Sequence, residues 1–155
     1  MLVQLLLSCF LLGTAPQNRC RGITDADRRA FDDGSPVVLD VDGDGRPDQI
    51  KPRVYKARTR RGAAGRAGQK FSEVDWLAFD LTTSRGRVIK SFFKYDYGED
   101  GVRYWVWALV PCDFDSDGRV DLKFYSGDDT SDETVILRNT GRAFKVHSRK
   151  VRQVE

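Results

Sequence analysis

The chain has 155 residues, of which 40% are hydrophobic and 32% charged, with a formal net charge of +3. That length suits one domain with its own core and excludes two large ones, and the apolar share excludes a disordered chain. The near-balance of charge hides a local asymmetry, because acidic residues cluster in short loops and basic ones gather elsewhere.

Residues 1–15 carry no charged side chain, and their apolar run over 5–12 is closed by Gly13, Thr14 and Ala15. This pattern predicts a secretory signal peptide, too short to span a bilayer by itself, so no transmembrane span is expected. A lipid anchor at Cys9 and a buried N-terminal element are the alternatives. Cleavage would leave Cys20 and Cys112, either an oxidisable pair outside the cytoplasm or two separate thiols. The expected location is secreted, cell-surface or periplasmic.

Residues 16–35 read as a polar N-terminal extension, with a short helix expected at 24–31, where Thr24 caps and Asp27 stands three positions on. A strand at 36–39 then leads into an Asp-Gly segment at 40–48. Another follows at 49–55, with Ile50, Val54 and Tyr55 as core candidates. Residues 56–70 lack apolar periodicity and read as an exposed loop. From Val74 the alternation is strong, with Leu77, Phe79 and Leu81 on one side and Val74, Trp76 and Ala78 on the other. Further strands are expected at 88–97, 102–110, 122–125, 134–139 and 143–147. Between them lie turns at Ser84-Arg85-Gly86 and 98–101, a second Asp-Gly segment at 113–121 and an acidic loop at 126–133. Short strands at regular spacing, with no long helical pattern, predict an all-β fold.

One pattern occurs twice. Asp40, Asp42, Asp44 and Asp48 with Gly45 and Arg46 match Asp113, Asp115, Asp117 and Asp121 with Gly118 and Arg119, position for position. From composition, four Asp and one Gly at fixed places arise by chance in about 0.3% of such chains, before a second copy is required. Calcium takes six to eight oxygens, and alternate residues of a tight loop can turn carboxylates toward one point. Glycine at the sixth position permits the sharp turn. The carbonyls of Arg46 and Arg119 can then face the ion, and Asp48 and Asp121 close the cage. Two carboxylates about 4 Å apart repel by roughly 4 kcal/mol at an effective dielectric near 20, which a cation relieves. Two calcium ions are therefore expected. The twelfth position holds Lys51 or Phe124 rather than Glu, which excludes an EF-hand.

The segment from Asp113 to Tyr125, followed by Thr134-Val-Ile-Leu and an ending of Asn139, Gly141 and Phe144, resembles the FG-GAP/VCBS-type repeats of secreted and cell-surface proteins. The first copy matches over 40–50 and lacks that ending. The resemblance implies blade-like antiparallel sheets with calcium loops, serving adhesion or ligand binding. Two repeats, 36–101 and 102–155, are too few to close a propeller, so a compact pair of sheets packed face to face is expected within a 36–155 domain, or else a fragment completed by oligomerisation.

The remaining signals are weaker. Basic residues 51–70 suit an anionic polymer or a solvated loop, with no ring in 56–70 to stack on bases, so no specific nucleic-acid partner is expected. Phe92, Phe93, Tyr95, Tyr97, Tyr104, Trp105 and Trp107 suit a core better than a sugar surface. The run from Asp128 to Glu133 reads as a polar hairpin tip. His147 is the one histidine and has no nucleophile beside it; Asp75 with Asp80 or Asp96 is the remaining glycosidase-type pair. The sequence thus predicts a non-catalytic, exported calcium-binding module with an extracellular protein or glycan ligand. A carbohydrate-binding module and, behind it, a secreted hydrolase are the alternatives.

Overall fold

In the computed structural model two sheets pack face to face, joined by the apolar faces of their central strands. The structure describes residues 20–60, 71–97, 105–128 and 130–153. The signal peptide expected at 1–15, with Cys9, lies outside them, as do residues 61–70, the turn at 98–101, Tyr104 and Asp129.

The strands are β1 (Arg29–Ala30), β2 (Val37–Leu39), β3 (Asp48–Arg60), β4 (Phe71–Thr82), β5 (Val88–Asp96), β6 (Val106–Cys112), β7 (Asp121–Gly127), β8 (Ser131–Asn139) and β9 (Phe144–Gln153). β2-β3-β4-β5 form a four-stranded sheet and β1-β6-β7-β8-β9 a five-stranded one, every pairing antiparallel. The fold is all-β, and neither sheet closes into a barrel.

The internal repeat is therefore a repeat of topology as well as of sequence. Each sheet contains a four-stranded meander, and each Asp-rich loop joins the first two strands of its meander, β2 to β3 and β6 to β7. β1 adds a short edge to the second sheet by pairing with β6.

Period-two alternation decides what lies inside. In β4, Leu77, Phe79 and Leu81 are buried in the core, and Phe79 reaches across to Trp107 (5.2 Å between ring centroids) and Phe124 (5.7 Å) of the other sheet. Phe93 and Tyr95 of β5 meet Phe124 at 4.9 and 5.0 Å. Such edge-on and tilted rings gain about 0.5–1.5 kcal/mol per pair beyond burial. Trp107 is fully buried, and Phe92 and Trp105 are partly buried against the same cluster. A polar network closes one side of it: Tyr95 donates to Glu133 at 2.7 Å, and Ser126 donates to Tyr97 at 3.1 Å. Burial first, then the Glu133 carboxylate, raises the Tyr95 phenol above its ordinary range.

The structure corrects several sequence expectations. Residues 24–31 form no α-helix: Thr24 and Asp27 cap a single 3-10 turn at Asp25–Asp27, and Arg29 and Ala30 leave it to pair with β6. The capping signal was real, but no apolar stripe follows it to reward a longer helix. Residues 56–60 continue β3 instead of starting a loop, because β4 pairs with them up to Arg60. Likewise β8 begins at Ser131, inside the stretch read as an acidic loop, and β9 runs on to Gln153. Val54 is 41% exposed and is no core residue. A disulfide joins Cys20 to Cys112, tying the N-terminal segment to the residue before the second Asp loop.

Candidate metal centres

Each Asp-rich loop is wound around its own first carboxylate. Asp40 accepts backbone N–H groups from Gly43 (2.8 Å), Asp44 (3.1 Å) and Gly45 (2.8 Å). Asp113 accepts them from Asp117 and Gly118, both at 3.1 Å. Successive N–H groups turn inward because the backbone is left-handed at the fourth and sixth positions: φ is 74° and 79° at Gly43 and Gly45, and 60° and 81° at Ser116 and Gly118. Alternation of this kind makes a concavity of donors that suits an anion. Here the anion is the loop's own aspartate.

The ninth position anchors the loop to the rest of the sheet. Asp48 and Asp121 are both fully buried. Asp48 accepts from Val41 N–H at 2.7 Å with one oxygen and from Ser84 N–H at 2.7 Å with the other. Asp121 repeats the arrangement with Phe114 N–H at 2.9 Å and Asn139 N–H at 2.7 Å. In each repeat this carboxylate pins the loop to the turn between the third and fourth strands.

That equivalence reveals the ending missing from the first copy. Ser84 stands where Asn139 stands in the second, and Gly86 (φ 81°) where Gly141 (φ 79°) does. Sequence reading missed it because Ser replaces Asn; the surviving signal was a small polar residue two places before a glycine. Asn139 also spans the two repeats, donating its amide to Val41 O in the first loop (3.2 Å) and to Val120 O in the second (3.1 Å). Both loops therefore lie at one end of the sandwich.

Two oxygen sets can hold a metal ion. Asp40, Asp42 and Asp48 each offer a carboxylate oxygen within 4.8 Å of the others, and Asp113, Asp115 and Asp117 do the same. Oxygens on opposite sides of a calcium ion stand about 5 Å apart, so both sets fit a hard divalent cation. Two of the expected aspartates fall outside these sets. Asp44 turns to the Ser84 hydroxyl (2.8 Å) and the Arg85 guanidinium (3.2 Å). The Ser84 hydroxyl, foremost, lowers the Asp44 carboxyl below its ordinary range. Asp121 lies outside the second set although its two N–H donors match those of Asp48, so the ninth aspartate both anchors the loop and joins the oxygen set in the first copy but only anchors it in the second. Arg46 and Arg119 donate their backbone N–H to Asp44 and Asp117, both at 2.9 Å.

Arginines stand at both rims. Arg138 reaches Asp115 at 2.6 Å and Asp117 at 3.7 Å, and Arg119 reaches Asp117 at 3.8 Å. Arg85 and Arg138 were not expected from the loops alone, because they come from neighbouring turns and strands. The other polar candidates have structural partners: Asp75 with Lys56 (3.9 Å), Asp80 with Arg53 (3.6 Å) and Ser91 N–H (2.6 Å), and His147 against the Phe114 ring (4.4 Å). Asp128 accepts from Thr130 and Ser131 N–H at a hairpin tip.

Comparison of the chain with protein-family models, curated proteins and solved structures gives no match.

Proposed function

We propose that this protein is an exported calcium-binding β-sandwich of the FG-GAP/VCBS kind, in which two calcium ions stiffen one end of a domain that binds a partner and catalyses nothing. The observation that carries the reading is the duplicated loop: the same self-wrapping backbone, the same buried ninth aspartate and three convergent carboxylate oxygens, found twice. A turn made only to reverse the chain needs no such convergence of like charge. The Cys20–Cys112 bond supports an oxidising compartment. Among the described residues no helix is long and apolar enough to cross a membrane. At extracellular calcium levels even sites of about 10⁻⁴–10⁻³ M affinity fill, and binding to the folded state alone stabilises it.

Calorimetric titration of the purified protein with calcium tests this. Asp42 and Asp115 are the informative positions, because they are exposed members of each oxygen set and carry little of the loop's own hydrogen bonding. Asp42→Asn and Asp115→Asn should each abolish one of two binding events. Absence of heat, together with an unchanged melting temperature in calcium, would refute the reading.

Sugar binding is a second reading, favoured by one observation. On the outer face of the four-stranded sheet, Tyr55 and Trp76 stack with centroids 6.5 Å apart and planes 16° apart, with Arg53 over Tyr55 at 5.2 Å.

A further inference from the structure

The outer face of the five-stranded sheet carries a cleft of about 330 Å³. Four cationic side chains line it, Arg28, Lys123, Lys150 and Arg152, against the single carboxylate of Asp132. They come from three separate places: the N-terminal segment, an interior strand, and the edge strand β9.

Their surroundings hold them ready. Arg28 lies over the Tyr125 ring at 5.3 Å and pairs with Asp25 at 3.2 Å. Lys123 donates to Arg21 O at 3.0 Å, which leaves two ammonium protons for another acceptor. Among the described residues, Lys150 and Arg152 have no carboxylate within ion-pair distance. Tyr125 is itself placed by Gly127, which has no positive φ to explain it. A Cβ there would collide with the Tyr125 hydroxyl and lie 2.8 Å from its ring, so the glycine makes room for the tyrosine.

Charge on β9 has an ordinary explanation, since Lys and Arg on an edge strand deter pairing with other chains. That explanation does not reach Lys123, which lies on the interior strand β7. Asp128, the other acid near Tyr125, is occupied by Thr130 and Ser131. With Arg28 already paired to Asp25, three further cations against one carboxylate still favour a dianion over a monoanion, and the volume admits a tetrahedral group with a small substituent.

We propose that this cleft binds a tetrahedral oxyanion, a phosphate or sulfate group carried on a small organic ester. Lys150 and Arg152 contact the oxyanion from β9, Lys123 from β7 and Arg28 from the segment above. The site requires nothing of the Asp-rich loops: Lys123, its residue nearest to them along β7, stands two residues, about 7 Å, from Asp121, and the carboxylates of that loop pair with Arg119 and Arg138 instead. Calcium binding and oxyanion binding can therefore fail separately.

The test is an amide NMR titration of the purified protein at low salt without added calcium. The probes are inorganic phosphate, inorganic sulfate, glucose 6-phosphate and glucose 6-sulfate, with acetate as the monoanionic control. Saturable shifts at Gly127, Thr134 and Arg152 are expected with the tetrahedral anions. Lys150→Gln combined with Arg152→Gln should weaken binding by at least about tenfold. Lys145→Gln removes a charge from the same strand outside the cleft and should change it little. A preference for either ester supports the site and identifies which anion it takes. Acetate binding as tightly as the esters, an equal loss in Lys145→Gln, or no saturable shift with any probe would overturn the proposal.

Discussion

Replacing Asp121 with alanine removes the acceptor for two backbone N–H groups. The Asn139 N–H is buried, and an unpaired buried donor costs about 1–3 kcal/mol; the Phe114 N–H is only part-buried and recovers some of its loss from water. Release of a fully buried carboxylate from desolvation offsets a further fraction. The net expectation is a destabilisation of about 2–4 kcal/mol, a large share of the 5–15 kcal/mol available to a domain of this kind. In urea that corresponds to a fall of about 1–2 M in the unfolding midpoint. The assay is urea unfolding followed by tryptophan fluorescence, since Trp107 is fully buried at the sheet interface. It is run in a calcium chelator, so that metal binding contributes nothing. Asp115→Ala is the comparison: its carboxylate is exposed and its main partner is Arg138, so the loss in chelator should stay within about 1 kcal/mol. If the two variants unfold together in chelator and separate from wild type only when calcium is added, the ninth aspartate is a ligand alone and the stapling argument is wrong.

Arg138→Ala should tighten calcium binding at the second loop by a few-fold in calorimetry, because it removes a cation from Asp115 and Asp117 at a rim where such pairs contribute about 0–1 kcal/mol. Ser116 holds a left-handed φ of 60° at the position that glycine occupies in the first loop. Ser116→Gly should therefore stabilise the protein by about 0.5–1 kcal/mol, read as a higher melting temperature. Asp27 is held well below the ordinary carboxylate range, first by its Arg21 hydrogen bonds and then by Thr24. A lowered folded value means that the contribution is complete above about pH 4 and fades as pH falls through the folded value. The stability gap between wild type and Arg21→Ala should accordingly persist at neutral pH and close in strong acid.

The loops were legible because their chemistry is local. Left-handed glycines, alternating aspartates and the N–H groups they gather all fall within nine residues, and sequence spacing alone places them. The core face of β4 was legible for the same reason, since strand pleating puts Leu77, Phe79 and Leu81 on one side whatever they pack against. The expected helix at 24–31 and the loop at 56–60 went the other way. Both segments have weak local preference, and pairing with β6 or β4 decided them.

Sequence by itself determined that this chain is all-β, that it is built twice on one plan, and that each copy carries convergent carboxylates. Tertiary structure decided which aspartates of each quartet converge, and that the ninth is buried as a staple in both copies while joining the convergent set only in the first. The staple's partners, Ser84 and Asn139, lie 36 and 18 residues away, and strand register alone brings them near. The same register set Arg138 at the rim of one loop and gathered Lys123, Lys150 and Arg152 on the outer face of the five-stranded sheet. Charges so far apart in the chain acquire a common address only when the sheets form.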